Sequence, residues 1–292
     1  MTFNPDADIS GNTTRRRGRT TAIAAGGGVG VLGIVALVVA LLGGPDLTGL
    51  VGGGAPSADQ QTASGDVNTL AECKTGTDAN TNDSCRMAGA ELMLNEYWAD
   101  HVDGYVKPTL TMVNGETATQ CGTASNATGP FYCPPEQGVY LDPTFFQLMQ
   151  QQFGASAGSL AQLYIVGHEW GHHIQNITGV MQKHPDNGTG PASNSVRTEL
   201  QADCYAGAWL KDAAKLKDDN GQPFVQTFTE AQLKDAVNAA YVVGDDHIQQ
   251  QSGFVNPESF THGTSEQRQF WFADGYTNGL GVCDTFAPGV KL

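Results

Sequence analysis

Residues 160–180, LAQLYIVGHEWGHHIQNITGV, decide how this chain of 292 residues folds. Their apolar side chains recur at helical spacing, which predicts a helix that begins near Ser159. Inside the run, His168, Glu169 and His172 form the pattern H-E-x-x-H. Positions four apart lie on one face of a helix, so both imidazoles can bind one metal ion. Two histidines and a neighbouring glutamate at this spacing are typical of a tetrahedral zinc site with a general base. The alternative is a polar helix face with solvated histidines.

A zinc site with two histidines needs a further protein ligand, and Glu199 is the strongest candidate. It follows His172 along the chain, on the next predicted helix, over residues 193–214. Glu199 and Asp203 are four positions apart and share a face of that helix. Glu199 is therefore expected to bind the metal, while Asp203 accepts a hydrogen bond from the far nitrogen of a ligating imidazole, His168. The alternative is that both are ordinary surface carboxylates.

Two further residues near the C-terminus are candidates for a role in catalysis. His262 is the leading candidate for stabilising a developing oxyanion, with a histidine packed at the start of the last helix as the alternative. Arg268 can orient a carboxylate or form a surface ion pair, and the surface pair is favoured. His173 is rotated off the ligand face of its helix, which predicts a structural role.

The charge distribution excludes some partners and suggests a membrane segment. Acidic residues number 30 and basic residues 15, so a nucleic-acid partner is not expected. Four arginines at positions 15, 16, 17 and 19 precede the uncharged stretch 20–45. The apolar run 22–42 is long enough to cross a bilayer as a helix. An uncleaved signal anchor with the C-terminal bulk outside is favoured, and a cleaved signal peptide and a buried core helix remain alternatives.

These features divide the chain into four parts. Residues 1–19 are expected to form a disordered, basic cytoplasmic tail, 20–42 a transmembrane signal anchor and 43–68 a flexible Gly/Ser-rich linker. Residues 69–292 are expected to fold as one α+β, mostly helical domain with a small edge sheet. The other predicted elements are helices over 86–101, 143–153, 229–251 and 265–277, and strands over 109–113 and 137–141. The second of these strands is a candidate sheet edge for pairing with an extended substrate.

All six cysteines lie beyond the apolar run, which favours disulfides in an oxidising compartment. Pairing Cys73 with Cys85 and Cys121 with Cys133 closes two short loops and leaves Cys204 for Cys283. This is one of fifteen connectivities. A second, cysteine-ligated zinc site is the alternative, but the chain lacks a C-x-x-C pair.

Four motifs resemble those of the bacterial neutral zinc metallopeptidase family, within the wider gluzincin pattern. They are GHEWGHHIQ (167–175), ELQADCYAGAW (199–209), GPFYCPPEQGVYLDPTFF (129–146) and FTHGTSEQRQFWF (260–272), and the resemblance spans most of residues 70–285. It implies a zincin-like fold, one zinc ion held by His168, His172 and Glu199, Glu169 as the catalytic glutamate, and an N-terminal membrane anchor.

The expected function is a zinc-dependent endopeptidase that cleaves protein or peptide substrates at the extracytoplasmic face of the membrane. The alternative is a catalytically silent, zinc-containing module that binds envelope components or acts like a chaperone. Glu169 favours the enzyme, because a purely structural zinc site has no need of a general base.

Overall fold

The computed structural model describes residues 2–18, 67–251 and 253–292. The transmembrane segment expected over 20–42 and nearly all of the linker expected over 43–68 lie outside these residues. Within the described ranges, no helix combines the length and apolar character needed to cross a bilayer.

The described residues form a mostly helical α+β structure with a small sheet, which confirms the predicted fold class apart from the membrane helix. The helices are α1 (Gly76–Thr81), α2 (Asp83–His101), α3 (Phe145–Phe153), α4 (Ser159–Ile177), α5 (Val180–Lys183), α6 (Asn194–Asp212), α7 (Glu230–Val242), α8 (Asp245–Gln251) and α9 (Ser265–Asn278). The strands are β1 (Arg15–Arg17), β2 (Val67–Thr69), β3 (Thr109–Val113), β4 (Thr117–Thr119), β5 (Gly122–Ala124), β6 (Phe131–Cys133) and β7 (Gly138–Leu141).

The helix predicted over residues 229–251 is broken into α7 and α8. Its start is as expected, because Thr229 and Gln232 form a capping box. The break falls at Gly244, where an added Cβ would lie 2.3 Å from the backbone nitrogen of Ser265. The first turn of α9 therefore lies directly against this point, and a side chain there would displace it. As a result, Asp245 stands at the beginning of a new helix.

Five strands form the main sheet in the order β2-β1-β3-β7-β6. Strand β1 runs parallel to β3, and β3 runs parallel to β7. Strand β6 is antiparallel to β7 and forms one edge of the sheet. The expectation that residues 137–141 form the substrate-pairing edge is therefore wrong, because β7 has a hydrogen-bonded neighbour on both sides. The edge on this side of the sheet is β6.

Residues 2–18, expected to be a disordered tail, are instead part of the folded unit. The arginine run forms β1, which lies between β2 and β3. Ahead of it, Phe3 pairs with Val225 in an isolated antiparallel bridge, and the backbone of Ile9 donates to the carbonyl of Lys74. The folded unit also begins at Val67 rather than at residue 69, since β2 pairs with β1.

Apolar burial and a buried carboxylate hold the N-terminal segment in place. Phe3, Ala7 and Ile9 are fully buried in the main hydrophobic core. Glu91, on α2, accepts hydrogen bonds from the backbone of Thr13 and from the hydroxyls of Thr13 and Thr14. The apolar positions of this segment are too irregular to predict a helix or a strand, which explains why the sequence suggested disorder.

Glycines at helix crossings bring α4, α6 and α9 together. A Cβ at Gly171 of α4 would lie 2.9 Å from the Cα of Ala202 on α6. A Cβ at Gly275 of α9 would lie 2.1 Å from the carbonyl oxygen of Cys204 on the same helix, α6. No side chain fits at either point, so the helices approach closely enough for polar groups on α4, α6 and α9 to meet.

The disulfide pairing proposed from loop length is confirmed. Bonds join Cys73 to Cys85, Cys121 to Cys133, and Cys204 to Cys283. The third bond ties α6 to the C-terminal segment that follows α9. The six cysteines are therefore all in disulfides, and a second, cysteine-ligated zinc site is excluded.

Replacing Phe3 by alanine should destabilise the whole folded unit. Deleting a fully buried phenylalanine costs about 3–5 kcal/mol through lost burial and the cavity left behind. The midpoint of guanidinium unfolding measures the change. Asp6→Ala, at an exposed position in the same segment, is the matched control and should leave the midpoint unchanged. Equal midpoints for the two variants would show that residues 2–18 do not pack on the domain.

Candidate metal centre

Helix α4 brings the H-E-x-x-H residues to one buried site. His168, Glu169 and His172 are each at most 4% exposed. The Nε2 atoms of His168 and His172 lie 3.1 Å apart, as expected for side chains one helical turn apart.

Glu199 on α6 completes a cluster of three possible ligands. Its Oε2 lies 3.1 Å from Nε2 of His168, and its Oε1 lies 3.4 Å from Nε2 of His172. One ligand atom from each residue lies within 4.8 Å of the others. Burial alone would raise the pKa of the Glu199 carboxyl, but the charge of His172 and hydrogen bonds from His168 and His172 hold it well below its usual value.

The hydrogen bonds behind the two imidazoles favour a cation between them. Nδ1 of His168 donates to Asp203, and Nδ1 of His172 donates to Oε1 of Gln175. The Gln175 amide is fixed in this orientation because its nitrogen donates to the carbonyl of Thr198. In the neutral imidazoles, both Nε2 lone pairs therefore face each other and Glu199. Ligands of a tetrahedral zinc at about 2.0–2.1 Å stand roughly 3.3 Å apart, so the donor set and its spacing fit this ion.

Protons compete with a metal for this site. Burial lowers the pKa of His168, but Asp203 and Glu199 together raise it to about 9. A metal must therefore displace a proton from the ring, as is usual for histidine ligands.

Glu169 lies beside the ligands on the same helix. Burial raises the pKa of its carboxyl, while the charges of His168 and His172 and a hydrogen bond from the backbone N–H of Tyr132 lower it in part. Tyr132 belongs to β6, so this edge strand lies next to the Glu169 carboxylate. A carboxylate with a raised pKa is suited to accept and release a proton.

Asp203 is surrounded by hydrogen-bond donors, one of them the predicted partner His168. Its Oδ1 accepts from the Tyr164 hydroxyl at 2.6 Å, Nδ1 of His168 at 2.8 Å and Nη2 of Arg268 at 2.9 Å. Its Oδ2 accepts from Nε of Arg268 at 2.8 Å. Burial raises the pKa of Asp203, but the charges of Arg268 and His168 outweigh burial and lower it. The group is thus held as a carboxylate.

Arg268 is fully buried, so the expectation of a surface ion pair is wrong. The guanidinium reaches Asp203 because α9 crosses α6 at Gly275, where the backbones nearly touch. It also donates to the carbonyl of Val243 at 3.2 Å. Such a bidentate arrangement fixes the plane of the carboxylate as well as its position.

His262 is buried and paired with Asp245. Oδ1 of Asp245 lies 3.2 Å from Nδ1 of His262, and Oδ2 accepts from the backbone N–H groups of Thr261, His262 and Gly263. Burial lowers the pKa of His262, but Asp245 and the nearby charge of Glu199 raise it overall. The pairing of Nδ1 leaves Nε2 as the nitrogen that points away from Asp245.

His173 is structural, as predicted. Its Nε2 lies 2.6 Å from the carbonyl of Val106, and its Nδ1 lies 3.1 Å from the Tyr132 hydroxyl. The ring therefore connects α4 to the edge strand β6. Burial lowers its pKa, which keeps it neutral in this role.

Three residues of the site were not identified from the sequence. Tyr164 precedes His168 by one helical turn and Gln175 follows His172 by nearly one, so both lie on the ligand face of α4 and helical spacing could have indicated them. Asp245 carries no such signal. It lies on a different element from His262, and only the break at Gly244 brings the two together.

A family model and uncharacterized bacterial relatives match this chain. A family model described as "Putative neutral zinc metallopeptidase" matches residues 5–286. An uncharacterized protein of Mycobacterium tuberculosis, Rv2575, is 44% identical over 221 residues, which cover 75% of each chain. The uncharacterized protein YpfJ of Escherichia coli is 37% identical over 273 residues, or 88% of each chain. No solved structure is significantly similar.

Replacing Arg268 by methionine should weaken zinc binding and lower stability. The change leaves the Asp203 charge buried without its partner, which typically costs about 3–5 kcal/mol. Loss of such a supporting contact reduces metal affinity by about 10–100-fold. Titration against a chromophoric chelator measures the affinity, and guanidinium unfolding measures the stability. Lys183→Met, at an exposed position, is the control. Unchanged affinity in Arg268→Met would contradict the dependence of His168 on this network.

Proposed function

This chain belongs to the neutral zinc metallopeptidase family, and we propose that it is a zinc-dependent endopeptidase acting outside the cytoplasm. The observation that carries the proposal is the convergence of His168, His172 and Glu199 beside a buried carboxyl, Glu169. A structural zinc site is normally closed by four protein ligands, whereas a catalytic site keeps one position for water or substrate. The three ligands of this cluster support the catalytic kind.

We assign zinc binding to Nε2 of both histidines and to the Glu199 carboxylate. When bound there, zinc lowers the pKa of a coordinated water to about 7 and polarises the carbonyl of the scissile bond. The chain positions these ligands through their outer contacts, Asp203 behind His168 and Gln175 behind His172. Each contact fixes the ring tautomer that leaves Nε2 free for the metal.

Glu169 serves as the general base and then as the general acid. Its carboxylate takes a proton from the attacking water and holds it at a carboxyl oxygen. The same oxygen then delivers the proton to the nitrogen of the leaving amine. Burial raises the pKa of Glu169, and this direction favours uptake of a proton by its carboxylate, as both steps require.

His262 stabilises the negative charge that develops on the carbonyl oxygen. Asp245 accepts from Nδ1 of His262 and favours the protonated ring, so that Nε2 also carries a hydrogen. The three backbone donors to Asp245 hold the loop that bears His262 in one position. A donor already in place needs no reorganisation during the reaction.

The edge strand β6 supports cleavage within an extended peptide. Its outer side has no neighbouring strand in the described sheet, and Tyr132 at its centre lies next to Glu169. The backbone N–H of Tyr132 already donates to Glu169, so a substrate strand at this edge would pair with the other main-chain groups of β6. This arrangement favours an endopeptidase over an enzyme that needs a free chain end.

The extracytoplasmic location rests on the disulfides. Three bonds join all six cysteines of the chain, and such bonds persist in oxidising compartments.

Glu169→Gln should abolish peptide hydrolysis while zinc stays bound. The amide has nearly the shape of the carboxyl but cannot accept the proton of the attacking water. Hydrolysis of a broad peptide library, with zinc content determined on the same sample, measures both properties. Glu258→Gln, at an exposed position, should retain full activity. If the wild-type protein binds zinc and cleaves no peptide, the silent binding module is the better explanation.

His262→Ala should lower kcat by about 10²–10³-fold, the usual effect of removing one oxyanion donor. Zinc content should not change, because His262 is not a ligand. Steady-state kinetics on a cleaved library peptide separate kcat from KM. A loss confined to KM would assign His262 to substrate binding instead of charge stabilisation.

A further inference from the structure

The N-terminal segment and the domain that carries the metal centre are one folded body. Strand β1 is hydrogen-bonded on both sides, to β2 and to β3. Phe3, Ala7 and Ile9 are buried in the same core as α4. A membrane cannot lie between two strands of one sheet, so residues 2–18 and 67–292 must share one side of any membrane.

The N-terminal segment, residues 2–18, ends at the same end of the sheet at which the second described part, residues 67–292, begins. Arg17, the last residue of β1, is the direct antiparallel partner of Val67, the first residue of β2. Their Cα atoms are therefore only about 4.5–5.5 Å apart. We call this place, formed by Gly18, Val67 and the arginines of β1, the β1–β2 end.

The sequence of the connecting segment suits contact with lipid but not a return crossing. Residues 20–45 carry no charge, and residues 22–42 are apolar. Beyond them, Asp46, Asp59 and Asp66 accompany many small residues. A second span of about 20 apolar residues, needed to bring the chain back across a bilayer, is missing from the sequence of residues 43–66.

Basic residues collect where this segment leaves the fold. The chain has a net charge of −15, yet three arginines form β1 and Arg19 follows. Glu72 pairs with Arg16, and Asp66 directly precedes Val67, so four arginines and two acidic residues flank the β1–β2 end in the sequence. Anionic lipid headgroups attract such a cluster.

We propose that the β1–β2 end faces a lipid bilayer, with residues 2–18 and the domain that carries the metal centre on the same side of it. A single-crossing signal anchor, the arrangement favoured by the sequence, would instead place β1 and β2 in different compartments.

Cysteine labelling of the full chain in intact bacterial cells tests the shared side. Asp6→Cys reports on the N-terminal segment and Ala231→Cys on α7; both positions are exposed. The native cysteines are in disulfides and do not react. A membrane-impermeant maleimide should label both variants in intact cells. Labelling of Ala231→Cys alone, with Asp6→Cys reacting only after permeabilisation, would overturn the proposal. Protection of both in intact cells would support the shared side and contradict only the extracytoplasmic location.

Flotation with vesicles of phosphatidylethanolamine and phosphatidylglycerol tests the membrane contact. In a second variant, an Asn-Gly turn replaces residues 18–66 and joins Arg17 directly to Val67 as a hairpin. The full chain should float with the vesicles. The short variant should stay in solution and keep the unfolding midpoint of the full chain. A full chain that does not float, or a short variant that does not fold, would contradict the proposal. Neither experiment depends on peptide hydrolysis.

Discussion

The metal centre depends on the hydrogen bonds of one buried carboxylate, that of Asp203. A carboxylate that is shielded from water needs several hydrogen-bond donors. Asp203 accepts hydrogen bonds from Tyr164, His168 and Arg268. These donors come from α4 and α9, while Asp203 itself belongs to α6. The same carboxylate therefore joins three helices and fixes one imidazole, which makes the geometry of the site inseparable from the packing of the fold.

Two glycines permit the close helix packing that brings Asp203 to its hydrogen-bond donors. Gly171 lets α4 approach α6, and Gly275 lets α9 approach the same helix. With larger residues at these positions, the three helices would stand farther apart, and neither Glu199 nor Arg268 could reach its partners. The glycine inside H-E-x-x-H is thus part of the site although it has no chemistry of its own.

Local patterns sufficed for the parts of the site that lie on single helices. The spacing of His168, Glu169 and His172 predicted their common face, and the spacing of Glu199 and Asp203 predicted theirs. The structure brings these two faces together, with Asp203 behind His168 as expected. The sequence did not predict the burial of Arg268 or the pairing of Asp245 with His262, because the partners of these residues lie on other elements. It also failed at residues 2–18, whose fold depends on β3 and α2 far along the chain.

The sequence by itself determined where most of the helices lie and the chemistry they carry: the helical periods, the capping boxes of α7 and α9, the two short disulfide loops and the order of candidate ligands. These properties depend on neighbours a few positions apart, or on loops short enough to close. Only the tertiary structure decided that Arg268 is buried, that β6 and not β7 is the sheet edge, and that the arginines before the apolar segment form an inner strand of the domain. Each of these facts depends on burial and strand pairing between distant residues, which no local pattern encodes.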